Sequence, residues 1–143
     1  MDKLSWKWQK GAPTTIAEFG TPTAGDDYAL CIFNDSAAPS QLLLSARAPA
    51  GSNWQPTGTG FRYSGGSSRV PDGLSSLTLK TGSTGNAKLS VKGVGDLLPL
   101  PAAATPWSLP LLVQLQSDAG TCWEARFSTA AKNDGVQFKA KSD

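Results

Sequence analysis

A chain of 143 residues with 39% apolar and 17% charged residues is too apolar for intrinsic disorder and long enough to bury roughly two-thirds of its unfolded surface in one core. The formal net charge is +2, from basic and acidic residues scattered without a run of five or six of one sign, so no nucleic-acid footprint stands out, and no stretch approaches the 18 consecutive apolar residues of a membrane span. Fifteen Gly and ten Pro among many Ser, Thr and Ala point to one all-β domain over residues 1–143, built of short strands joined by turns.

Met1-Asp2-Lys3 leads directly into strand residues with no signal peptide, which reads as a mature domain or an excised one beginning at an added Met. Residues 3–10 alternate strictly, with Leu4, Trp6 and Trp8 on one face and Lys3, Ser5, Lys7 and Gln9 on the other. A mixed segment holding Ile16 and Phe19 ends in a turn cluster over 20–27. Tyr28 to Phe33 is apolar on both faces, as a central strand would be. Gln41 to Arg47 reads as the next strand; Trp54 and Gln55 stand isolated among turn residues, and Gly58 to Tyr63 resumes a strand. Pro71-Asp72-Gly73 forms a compact turn, since Pro presets φ and Asp-Gly accepts the remaining angles. Leu74–Lys80 and Ala87–Lys92 read as a hairpin with Ala87, Leu89 and Val91 inward and Lys88, Ser90 and Lys92 outward.

Residues 93–110 hold Pro99, Pro101, Pro106 and Pro110, which forbid a sheet interior and disfavour a helix. This section reads as a crossover whose Leu97, Leu98 and Leu100 cover a sheet end. Leu111–Gln116 and Thr121–Phe127 make a further hairpin, and a short strand near Val136-Gln137-Phe138 precedes a basic tail. Eight or nine strands without an amphipathic helix predict an antiparallel β-sandwich of jelly-roll or immunoglobulin-like layout.

The chain contains no histidine. That removes the usual neutral-pH general base, the Ser-His-Asp and Cys-His arrangements, and most zinc or copper sites, so no catalytic residue, metal or cofactor is expected. A hydrolase using carboxylates alone has few candidates: Glu18 and Glu124 are the only Glu, and most Asp sit in turns, where they cap backbone. Gly25-Asp26-Asp27 and Asn133-Asp134-Gly135 lack the alternating acids of a strong calcium loop. The glycines fall in turns and not at a strand-to-helix junction, so no phosphate loop is present.

Five Trp are the main positive hint, because exposed aromatic rings stack on sugars while neighbouring polar groups bond the hydroxyls. Trp6, Trp8 and Trp123 lie on clear strand patterns and read as packing. Trp54 and Trp107 lie in loops; Trp54 with Arg62 and Tyr63, and Trp107, are the candidate ligand-binding residues. Lys80, Lys88 and Lys92 line one hairpin face, which reads first as a solvated edge-protecting surface and otherwise as a site for an acidic polymer or a membrane surface. In Gly120 to Phe127 the period of two places Trp123, Ala125 and Phe127 on one face and Cys122, Glu124 and Arg126 on the other, with Glu124 and Arg126 as a same-face ion pair. Cys31 and Cys122 are the only cysteines, and they read either as one long-range disulfide of an extracellular or periplasmic domain or as two buried thiols.

Seven stretches carry a resemblance to one recurrent module found near the C-termini of large secreted bacterial proteins. They are Trp6-Lys7-Trp8, Asp27 to Cys31, Pro71 to Leu74, Gly85 to Gly93, Leu98 to Pro101, Cys122 to Ala125 and Lys132 to Asp134, in the module's own order and over nearly the whole chain. The resemblance implies an extracellular accessory module and transfers no catalytic residue. Modules of this kind often carry a further cysteine pair near the position of Gly51-Ser52-Asn53-Trp54. Its absence here leaves Cys31 and Cys122 to pair with each other and leaves that loop less constrained. The expected function is non-catalytic binding or adhesion to a polysaccharide or cell-surface glycan, with neither nucleic acid nor membrane insertion involved. Alternatives are a structural subunit that self-associates through strands and apolar loops, and a carboxylate-only glycoside hydrolase.

Overall fold

The computed structural model describes residues 3–9, 13–99, 107–133 and 138–140. Alternation at period two drives one face of each strand inward, and the strands assemble as two antiparallel sheets packed into a sandwich. One sheet has five strands: β1 (Lys3–Gln9), β4 (Trp54–Thr57), β5 (Gly60–Ser64), β6 (Leu74–Lys80) and β7 (Lys88–Val94), in the order β1-β7-β6-β5-β4. The other has four: β2 (Tyr28–Asn34), β3 (Gln41–Ala48), β8 (Leu111–Ser117) and β9 (Cys122–Phe127), in the order β3-β2-β8-β9. A two-residue ladder of β10 (Lys132–Asn133) and β11 (Phe138–Lys139) follows.

The chain path departs from both expected layouts. Strands β4 to β7 form a meander within one sheet, unlike the two Greek keys of a jelly roll, and β1 and β2 lie in opposite sheets, whereas an immunoglobulin-like domain keeps its first two strands together. The fold class stands, with its connectivity corrected.

Aliphatic side chains such as Leu30, Ile32, Leu44, Leu77, Leu89, Val91 and Leu115 fill the space between the sheets. Beside them runs a chain of rings, Tyr63–Trp54–Tyr28–Trp123–Phe19–Phe61, with successive centroids 5.2 to 6.4 Å apart. Such offset and edge-on pairs add to the area they bury.

Two local expectations need correction, at Trp54-Gln55 and at Leu97. Trp54 and Gln55 are not isolated: they open β4, an edge strand, where Pro56 is tolerated because an outer edge needs no amide donor. Ile16–Phe19 is a single 3₁₀ turn, closed by the Glu18 carboxylate accepting from the Thr15 amide at 2.6 Å. That turn drives Phe19 into the core and leaves Ile16 at the surface. Leu98 is buried as expected, Leu97 is exposed, and Leu100 lies outside the described residues, as do Lys10, Val136 and Gln137.

Candidate functional site

The residues expected to bind a ligand do not converge. Trp54 is 3% exposed and Tyr63 1% exposed, paired across β4 and β5 with their side chains in the core, so neither offers a platform to a sugar. Arg62, the strand neighbour of Tyr63, points the opposite way and is exposed on the outer face of the five-stranded sheet. Trp107 is half-buried against the core just before β8, its amide donating to Asn133 Oδ1 at 2.8 Å. The candidates Trp54, Tyr63, Arg62 and Trp107 are thus not brought together: the first two are buried in the core, Arg62 is exposed on the outer sheet face and Trp107 packs against the core.

The Cys31–Cys122 disulfide is also corrected. Both side chains lie on the outer face of the four-stranded sheet, but β8 runs between their strands, with Cys31 opposite Gln114 and Cys122 opposite Gln116. Two ladder spacings of about 4.8 Å put their Cα atoms well beyond the ~7 Å reach of a disulfide. The cysteines therefore give no argument for an oxidising compartment. Burial pushes the Cys31 thiol above its ordinary pKa, and burial, with Glu124 and Cys31 nearby, does the same for Cys122. Because the thiolate is the reactive form, both thiols are sluggish at neutral pH. Alkylation without reductant is expected to label both cysteines after denaturation, and Cys122 before Cys31 in the folded protein; an unlabelled intact mass would overturn the assignment.

Most of the described carboxylates are occupied in holding loops. Asp26 Oδ2 accepts from the Thr21 amide at 2.6 Å, and Asp27 accepts from the Ala50 amide at 2.8 Å and pairs with Arg47. Asp35 pairs with Arg126 and accepts from Ser40, so the expected Glu124–Arg126 pair is replaced: Glu124 instead accepts from Gln114 at 2.8 Å. Asp72 accepts from the Arg47 amide, and Asp118 from the Asp27 amide. With Glu18, this engages every described carboxylate except Asp96. Asp27 and Asp118 line a shallow groove of about 230 Å³ with Arg47, Ser45 and Gln116. A hydrolytic pair needs one carboxylic acid with a raised pKa. The Ala50 amide and the Arg47 guanidinium instead hold Asp27 below its ordinary value. Among the described residues no three His, Cys, Asp or Glu side chains gather to hold a metal ion, and no helix is long and apolar enough to cross a membrane. Asp134 lies outside the described residues.

The cations are sorted differently. Inward positions of β1, β5, β6 and β7 are apolar, so their alternate positions form one outer face bearing Lys3, Lys7, Arg62, Lys80, Lys88 and Lys92, all exposed. Between them lie hydroxyl and amide side chains, among them Ser5, Gln55, Thr78 and Ser90. None of the outward positions on the described strands of this sheet is Asp or Glu, and the two ion pairs among the described residues lie elsewhere. Lys80 and Lys88 stand directly opposite each other, an arrangement that costs stability in the absence of a neutralising partner.

No protein-family model, curated protein or solved structure matches the chain.

The functional reading therefore rests on the surface itself. The alternation of β1 and of the β6–β7 hairpin places the lysines outward from the sequence alone, but in two separate groups. Their union into one surface depends on β1 pairing with β7, a contact between the first and seventh strands.

Proposed function

We propose that this chain is a non-catalytic binding module, of the secreted accessory kind its sequence resembles, that attaches to an anionic glycan of a cell surface or matrix. The observation that carries the reading is the sorting of charge: six cations and no acid at the described outward strand positions of the five-stranded sheet, while the described carboxylates, Asp96 excepted, are engaged elsewhere, most of them as loop staples. Aromatic stacking on a neutral sugar loses its support with Trp54 and Tyr63 in the core. Charge complementarity replaces it: such a face attracts a polyanion, and the attraction is screened by salt within about 10 Å at 0.1 M.

The test is chromatography on dextran sulfate and on neutral dextran. Retention on the sulfated polymer alone, released by raised salt and weakened in Lys80→Gln/Lys88→Gln, is the expected result. Flow-through on both at low ionic strength would remove the reading.

A further inference from the structure

Resting on this reading of the cationic face, we propose that the ligand is a linear polyanionic glycan lying along β1 and β7, its acidic groups bridging a zigzag of four lysines. The register builds the zigzag. Residue Gln9 pairs with Lys88, Lys7 with Ser90, Ser5 with Lys92 and Lys3 with Val94. Along the strand axis the cations therefore come in the order Lys88, Lys7, Lys92, Lys3, alternating between the two strands. Each step is two residues, about 6.6 Å along the axis and about 4.8 Å across the ladder, so four charges span roughly 20 Å. The hydroxyls of Ser5 and Ser90 fall between them as donors for sugar oxygens. Lys80, on β6, and Arg62, on β5, lie to one side of this line.

A thread along β1 and β7 would contact the four cations in line, whereas a bilayer surface would address all six alike, a difference the variants below read out. A single-stranded nucleic acid is held by aromatic stacking as well as charge. The aromatic side chains of β1, β4 and β5 point inward or lie against the core, so the outward positions of this face hold none.

Two variants separate line from surface. Lys7→Gln/Lys92→Gln removes two charges on the zigzag, and Lys80→Gln/Arg62→Gln removes two beside it; all four side chains are exposed, and cooperative thermal unfolding at a midpoint no lower than the parent's checks that both variants fold. Titration calorimetry with size-graded dextran sulfate oligosaccharides is expected to show at least about a tenfold loss of affinity for the first variant, with the slope of log affinity against log salt smaller by about 2. The second is expected to lose no more than about threefold, and affinity should rise with oligomer length until the chain spans the four lysines and then level off. Equal losses in the two variants would overturn the zigzag while leaving the cationic face as the binding surface. Tighter binding to oligodeoxythymidine or to phosphatidylglycerol vesicles than to the glycan would overturn the ligand class. No binding by the unaltered protein would remove both proposals.

Discussion

Trp54→Ala is expected to destabilise the protein by about 3 to 5 kcal/mol, read as a fall in the urea midpoint at unchanged slope. The ring sits between Tyr28 and Tyr63 with centroids 5.2 Å from each, and its Nε1 donates to the Pro49 carbonyl at 3.1 Å. Truncation would therefore open a cavity in the middle of the aromatic chain and orphan an acceptor. Against a total of roughly 5 to 15 kcal/mol for a domain, this is a large share. A surface platform would respond in the opposite way, with stability nearly unchanged and ligand affinity lost. For the core residue, the folded fraction should bind dextran sulfate as the parent does, because the cationic face is untouched. A stability change below about 1 kcal/mol would return Trp54 to the surface.

That residue also marks the boundary of what the sequence tells. Where alternation runs for six or more residues, strands and their faces can be read directly: Leu89 and Val91 face inward between outward Lys88 and Lys92, and Trp123 and Phe127 face inward opposite Cys122, Glu124 and Arg126. Strand β4 has four residues, one of them Pro, so no periodicity can declare it; it exists because Trp54 and Gln55 find Tyr63 and Arg62 across the ladder. The thiols fail for a different reason. Alternation puts Cys122 outward, but which strand stands between it and Cys31 is a matter of topology, and β8 pairs with both of their strands. Likewise Arg126 and Glu124 share a face, yet their partners come from across the sheet and from the end of β2. The cationic surface was half legible. Lys80, Lys88 and Lys92 declare themselves as one hairpin face, whereas Lys3, Lys7 and Arg62 join them only through the order β1-β7-β6-β5.

Gly60→Ala is expected to cost about 3 kcal/mol or more, although alanine is a modest change and the backbone there is not left-handed. A Cβ at Gly60 would lie 1.8 Å from the carbonyl oxygen of Leu79 and 2.8 Å from its carbon, both backbone atoms of the neighbouring strand, and 3.3 Å from the Phe19 ring. Backbone cannot rotate away as a side chain does. Strand β6 would have to leave β5, breaking the pairings of Gly60 with Lys80 and Phe61 with Leu79. Phe61 would then lose its edge-on contact with Phe19, the residue that anchors the 3₁₀ turn to the core. Gly58→Ala is the matched control: nothing lies within 4 Å of a Cβ there, so its effect should stay within about 0.5 kcal/mol. The pair isolates close approach from chain entropy, and equal melting temperatures for the two variants would refute the β5–β6 contact. Lys80 follows Leu79 on the displaced strand but lies beside the zigzag, so folded Gly60→Ala protein should keep its affinity for dextran sulfate even as its stability falls.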